Sequence, residues 1–460
     1  MSGQAAARPE RINPRGLPQP LASVCAVLAA IGAAAFLYGL TSDPETAWRA
    51  FHVNFVYYAG LAQGGLLLAA IFVIVGAHWP GPVRRIAEGL AAWVPISLLL
   101  GVVGLFGGRH IFPWIEHPVE IKAAWLNPTR FYATDLAILA VLAFVTVRFL
   151  RLSVRPALGG AAEDAGAARG LFARWSANWR GEAEEREACD RKLRVLAPVV
   201  CLLYAFGFTV IGFDQVMSLD PHWFSNLFGG YFAWGGFLSA VAATALIAVL
   251  HRNSPGLEGE ITDMRMHDLG KMIFAFSIFW MYLFWAQYLV IWYGNLPEET
   301  SYFKARLGSQ FLQDTWDFAA YRLNEPYAKL TLCVWACNWI IPFWVLLGQR
   351  PKRTPAILGG VAAIVCLGFW LERNVLVWPS LVPENGNAWL GALQIAIAAG
   401  FLGAFALVYL LYTRVFPSLL VPRRPTAGAP GVARRGPSVG RAAGRSPAQA
   451  RMRSRPRRPC

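Results

Sequence analysis

The sequence predicts an all-α polytopic membrane protein with about ten transmembrane helices and both termini in the cytoplasm. Three observations carry this expectation. The 460-residue chain is 56% hydrophobic and only 15% charged, and its mean hydropathy of +0.41 lies outside the soluble range. Its apolar residues gather into ten runs, each long enough for a bilayer that takes roughly 18 or more. Lys and Arg are divided unequally between alternate connections, which sets orientation.

The first run, residues 22–40, follows Arg8, Arg11 and Arg15 as the apolar part of a signal peptide would. No persuasive small-x-small cleavage site precedes Thr41, so it reads as a retained helix. Runs two and three, 55–77 and 90–108, flank a connection bearing Arg84 and Arg85. The fourth, 132–150, has Asp135 at its start. Residues 151–194 form a sizeable cytoplasmic insertion, whose Arg186–Arg194 end mixes acids and bases as a solvated helix face does. The fifth run, 195–214, closes on Asp214 and Gln215; the sixth covers 230–250 and the seventh 269–293. The eighth, 328–347, carries Cys333 and Cys337 on one face, where small residues serve helix packing. The ninth, 355–372, ends at Glu372 and Arg373, and the tenth covers 389–412.

With the N-terminus inside, the cytoplasmic segments hold 32 basic residues and the outer loops nine. The net charge of +15 overstates that of the membrane domain, because residues 423–460 contain eleven Arg and no acid. Such a Pro-, Gly-, Ala- and Arg-rich tail cannot bury a core and is expected to be disordered. Beside a membrane it is expected to meet anionic lipid, not nucleic acid. The organisation is then a cytoplasmic tail at 1–21, a membrane domain at 22–420 and a second tail at 421–460. The cysteines suit neither disulfides nor a zinc site, and no metal is expected. There is no Cys-x-x-Cys-His, and all seven histidines fall at span ends or in loops. A haem within a bundle needs axial ligands at matched depth, so none is expected.

Glu372 and Arg373 interrupt an otherwise apolar stretch. A charge at membrane depth costs on the order of 2.5–3.5 kcal/mol, so the pair must face protein, water or a substrate path. By the charge-derived sidedness, polar groups collect at the outer face: Asp135, Asp214, Asp220, His222, and Glu372 with Arg373. Ordinary loop polarity, with belts of Trp and Tyr, accounts for Glu116, His117, Glu298 and Glu299. On the inner side Asp268 and Lys271 stand at i, i+3 and can pair, and an acid in a first helical turn suits the helix dipole. They equally mark a point of access for protons, since the same helix continues through Tyr282 and Gln287 toward the outer side.

Three stretches carry a family resemblance. The first is Tyr204–Phe224, with Asp214-Gln-Val-Met-Ser-Leu-Asp-Pro-His-Trp-Phe224. The second is His267–Thr300, with Ala286-Gln-Tyr-Leu-Val-Ile-Trp-Tyr-Gly-Asn-Leu-Pro-Glu-Glu-Thr300. The third is Trp370-Leu-Glu-Arg-Asn-Val-Leu-Val-Trp-Pro-Ser380, supported by Trp125-Leu-Asn-Pro-Thr-Arg-Phe131. Together they resemble the large membrane subunits of alternative complex III, a quinol:cytochrome c oxidoreductase whose membrane subunits belong to the polysulfide-reductase (NrfD-like) family. The likeness covers roughly residues 20–420 and is nearest to the second of the two such subunits. It implies NrfD-like four-helix bundles in a bacterial inner membrane, with no covalently bound cofactor, haem or iron–sulfur centre in this chain. It also implies partners: an iron–sulfur protein and a multihaem cytochrome c on the outer side, a homologous membrane subunit, and quinol. The first membrane subunit is the one credited with quinol oxidation. The second would conduct protons, bind quinone weakly or brace the assembly.

Quinol oxidation releases two electrons and two protons, so its site needs proton acceptors beside an aromatic slot. Asp214, His222 and Glu372 are the candidate acceptors, with Arg373 as counter-charge. Tyr204, Asp268, Lys271, Tyr282 and Gln287 mark a candidate proton path, and Asp135 and Asp220 are secondary candidates. Two rivals stay open: a secondary transporter of a small solute, for which paired Gly/Pro-broken spans are not obvious, and a scaffold in which the charged pair is structural.

Overall fold

The computed structural model describes residues 19–77, 79–158, 169–254, 257, 259–308 and 327–416. The tail expected at 421–460, nearly all of that at 1–21, and residues 159–168 of the insertion lie outside them. Among the described residues there is no strand, and ten helical stretches are long and apolar enough to cross a membrane. The chain is an all-α, multi-pass membrane protein.

Helix α1 (Gln19–Ser42) passes into α2 (Pro44–Ile74) through Asp43 alone. Its carboxylate accepts from the Thr46 N–H at 3.2 Å and Pro44 opens the helix, so the reversal is capped on both counts. The third span, Pro82–Ile111, is assembled from α3 (Pro82–Leu90), α4 (Val94–Gly104) and α5 (Gly108–Ile111) through 3-10 turns. Then come α6 (Pro128–Leu158), the short α7 (Arg169–Trp175) and α8 (Glu182–Gln215). The 34 residues of α8 reach about 50 Å, beyond a hydrocarbon core of about 30 Å. Its projecting end is tied to α6 by Arg155 and Glu185, 2.7 Å apart.

Helices α9 (Phe228–His251) and α10 (Asp263–Gly294) are the sixth and seventh spans, followed by α11 (Pro297–Leu307). The eighth joins α12 (Ala328–Trp335) to α13 (Ile341–Val345) through a π-helical turn at Ala336–Ile340. Pro342 explains that turn: it has no N–H for the carbonyl four residues back, and a local widening absorbs the misfit. A short α14 (Gln349–Arg353) leads to α15 (Pro355–Leu381), and α16 (Ala392–Val415) is the tenth span.

Burial separates core from periphery. The apolar windows of α2 and α9 are 83% and 72% buried, that of α1 only 11%. With α8 and α15 packed on both, α2 and α9 form the centre. They cross closely: a Cβ on Gly64 would lie 2.7 Å from the Gly236 carbonyl oxygen. At the rim α1 packs chiefly on α16, where a Cβ on Gly32 would lie 2.3 Å from the Gly400 Cα. Between helices in lipid, the packing that such close backbone approach allows is one of the forces that drive association. Gly400→Val should therefore force the two apart and cost about 1–3 kcal/mol. A parental melting temperature in detergent would show that this contact contributes nothing.

Several helix ends differ from the sequence expectation: α6 runs on to Leu158 and α8 begins at Glu182, both within the expected 151–194 insertion, and three others bring polar residues into helices. Helix α2 begins at Pro44, eleven residues before residue 55, so His52 and Asn54 are helical and buried. Helix α15 does not stop at Glu372 but continues to Leu381. Helix α10 starts at Asp263, capped by the Thr262 hydroxyl, so Asp263 and not Asp268 is the first-turn acid. In each case polar residues lower the local hydropathy while the backbone keeps its helical hydrogen bonds.

Candidate functional site

Glu372 and Arg373 lie about two thirds of the way along α15, with side chains 1% and 2% exposed and Arg373 Nη1 3.0 Å from Glu372 Oε2. Neighbours on a helix point about 100° apart, so each also meets a different partner. Arg373 turns to α9. Its Nη2 donates to the Phe232 carbonyl at 3.0 Å, and its guanidinium lies 4.1 Å from the centre of the Phe232 ring. Gly235 leaves room, since a Cβ there would be 3.2 Å from Nη2. Tyr204 of α8 donates to the next carbonyl, Ala233, at 2.7 Å.

Glu372 turns the other way, into a cavity of about 30 Å³ walled by Trp223, Phe228, Tyr231, Phe284, Tyr302 and Trp335. Gln287, Arg306 and Thr331 supply its other polar groups. A water needs about 10–15 Å³, so the space suits one or two waters and not a six-membered ring. The Tyr231 hydroxyl and Trp280 indole lie beside the carboxylate, yet neither of its oxygens receives a hydrogen bond of good geometry among the described residues. They are acceptors in need of a donor.

Arg306 comes from α11 and is 4% exposed. Nη1 donates to the Tyr302 carbonyl at 3.0 Å, and Nη2 to the Leu376 carbonyl at 2.9 Å and Ser380 Oγ at 2.7 Å. These oxygens are all neutral. The guanidinium lies 3.4 Å from the Tyr302 ring centre, and that ring stacks on Trp223 at 3.7 Å. Burial pushes the Tyr302 hydroxyl up to about 12 and lowers Arg306 from its ordinary value. At neutral pH the cavity therefore has a phenol and a guanidinium cation in its wall.

A second cluster joins α2, α6 and α8. Asp214, fully buried, is gripped by Arg130: Nη1 to Oδ2 at 2.8 Å, Nη2 to Oδ1 at 3.1 Å and to Oδ2 at 2.8 Å. The Trp125 ring centre lies 3.8 Å from that guanidinium. Gln215 Nε2 donates to Asp135 Oδ2 at 2.6 Å, and the Gln215 carbonyl is 2.7 Å from His52 Nε2. Asp135 Oδ1 has no donor among the described residues. His52, Tyr132, Asp135 and Gln215 line a separate cavity of about 20 Å³, again sized for water.

The structure thus divides what the sequence grouped. Glu372 and Arg373 sit at the aromatic cavity, whereas Asp214 belongs with Asp135 in the second network. His222 is exposed in the turn between α8 and α9, and Asp220 is half-buried there; the same turn gives Trp223 to the aromatic wall. Asp268 and Lys271 pair at 2.6 Å, with the lysine side chain 55% exposed. Tyr282 is 59% exposed and leaves the expected path. Five residues on, about 140° round the helix, Gln287 is buried and accepts from Ser225 Oγ at 3.0 Å, on the wall of the Glu372 cavity. Tyr204 does lie at the site, one carbonyl along from the bond made by Arg373.

Sequence reasoning missed Arg130, Arg306 and His52, each counted as a loop or span-end residue. It also passed over Glu88, fully buried toward the other end of the bundle. Glu88 pairs with Arg84 Nε at 2.9 Å and Arg85 Nη1 at 2.8 Å, and accepts from Ser153 Oγ at 2.7 Å. An acid flanked by Ile86-Ala and Gly-Leu90 carries the same signal that exposed Glu372. No protein-family model matches this chain, and no curated protein matches it.

Proposed function

We propose that this chain is a membrane subunit of a quinol:electron-acceptor oxidoreductase of the alternative complex III type, and that its own part is to take up and release protons at Glu372. The observation that carries the proton role is the placement of Glu372: buried, paired with Arg373 on one side, and open on the other to a cavity sized for water. A general acid–base group needs a partner within hydrogen-bond reach, directly or through one water. In this reading Glu372 exchanges a proton with cavity water, Arg373 stays as the fixed counter-charge, and Phe232 keeps the guanidinium in place while Tyr204 bonds the next carbonyl. Quinol, the substrate, gives its two electrons to the iron–sulfur and haem partners. The aromatic wall excludes bulk water, which keeps the exchange local.

The assembly part of the proposal rests on the three resembling stretches, and a bacterial inner membrane is the location we propose on the same ground. Affinity purification of the native complex through a tag on this chain should bring down iron–sulfur and multihaem subunits with quinol:cytochrome c activity. The chain isolated from them should have no visible absorbance. A tagged chain that purifies alone, with a bound solute, would replace this reading with a transporter.

A scaffold is the second reading, favoured by one observation: Arg373 is held as firmly by Phe232 as by Glu372.

A further inference from the structure

Toward the N-terminal end of α15 from Glu372 stands another buried polar group. One turn earlier in α15, about 6 Å along the axis, Gly368 meets Asn338. A Cβ at Gly368 would lie 2.1 Å from Asn338 Oδ1 and 2.6 Å from Cys337 Cβ. Only glycine lets the amide stand this close to the helix. Gly368 and Glu372, at i and i+4, share a face of α15. On the facing span, Thr331, Val334 and Trp335 line the Glu372 cavity, and Asn338 continues that line past it, within the π-helical turn.

Asn338 is fully buried, and neither its Oδ1 nor its Nδ2 has a hydrogen-bond partner among the described residues. Pro342 accounts for the turn, so the turn alone says nothing about function. The amide is different. Its donors and acceptor face α15 beside a glycine, and buried amides without a protein partner are commonly satisfied by water.

We propose that Asn338 is a positioning residue for proton exchange at Glu372, its amide holding a water on the side of the carboxylate toward Gly368. Glu372 is then a relay between two water sites, not a terminal acceptor. A proton arriving on the Asn338 water passes to the carboxylate, and the carboxyl then gives it to water in the cavity; the amide stays neutral throughout, donating through Nδ2 and accepting through Oδ1. By the charge-derived orientation, Asn338 lies on the inner side and the Arg306 cavity on the outer side. This inference rests on the reading of Glu372 as a proton carrier.

The test uses the whole complex in lipid vesicles, with infrared difference spectra in deuterium oxide. The band lost in Glu372→Gln identifies the carboxyl, and its exchange rate is then followed. Asn338→Leu, with the same branching but unable to hold water, should slow that exchange by about a hundredfold, the lower end for a positioned proton-transfer group. Asn338→Ser should recover it to within about tenfold. Gly368→Ala, which leaves the amide chemically intact but pushes it and Cys337 away from α15, should slow exchange in the same direction, and it decides the matter if Asn338→Leu does not assemble. Exchange at the parental rate in an assembled Asn338→Leu or Gly368→Ala complex overturns the inference alone. If Glu372→Gln itself leaves proton release per quinol unchanged, the proton reading of Glu372 fails instead.

Discussion

Glu372→Gln is expected to cost about 3–5 kcal/mol in stability and to abolish proton release coupled to quinol oxidation. The glutamine keeps the shape but leaves Arg373 as a buried cation. Its Nη2 would retain the Phe232 carbonyl and the ring beneath it, whereas Nη1 would lose the carboxylate 3.0 Å away and Nε has no partner among the described residues to compensate. Adding Arg373→Leu removes the stranded charge. The double variant should therefore melt near the parental temperature and assemble, while proton release stays absent. Should the double variant instead release protons at the parental ratio, the pair is a brace and the scaffold reading prevails.

Arg130→Leu should be the most damaging single change in the second network. Asp214 would lose the fork of bonds at 2.8–3.1 Å that neutralises it, and would remain fully buried in the same network as Asp135. The loss should again be about 3–5 kcal/mol. Arg130→Lys should recover only part of it, because a point charge cannot make the bidentate contact or stack on Trp125. Arg130→Leu with Asp214→Asn should recover more. Thermal unfolding of the four proteins in one detergent checks the ranking, and a Lys variant as stable as the parent would show that the fork geometry is irrelevant.

The spans were legible because each is a long apolar run, and nothing in a bilayer competes with the helix for backbone hydrogen bonds. Glu372 with Arg373 was legible for the same reason in reverse: charge is expensive there. Helix ends were not. Residues such as His52 and Asn54 depress hydropathy, yet their side chains are satisfied inside the bundle by the Gln215 and Ala50 carbonyls. Partners distant in sequence were equally hidden, since Arg130 meets Asp214 across 84 residues and Arg306 meets Leu376 across 70. The candidate proton-path residues on α10 do not share one face. Lys271 and Tyr282, eleven residues apart, share a face within about 20°, and that face is exposed; Gln287 stands on another.

The backbone contact between Gly32 and Gly400 bears on how the protein is made. A chain inserted from its N-terminus delivers α1 to the membrane before α16, whose Gly400 lies 368 residues beyond Gly32. At synthesis rates of about 5–20 residues per second, that interval is on the order of 20–70 s. Throughout it the glycine face of α1 meets lipid or the insertion machinery. The seam between α1 and α16 thus closes only once α16 has been made, and a chain truncated before α16 leaves α1 without this mate.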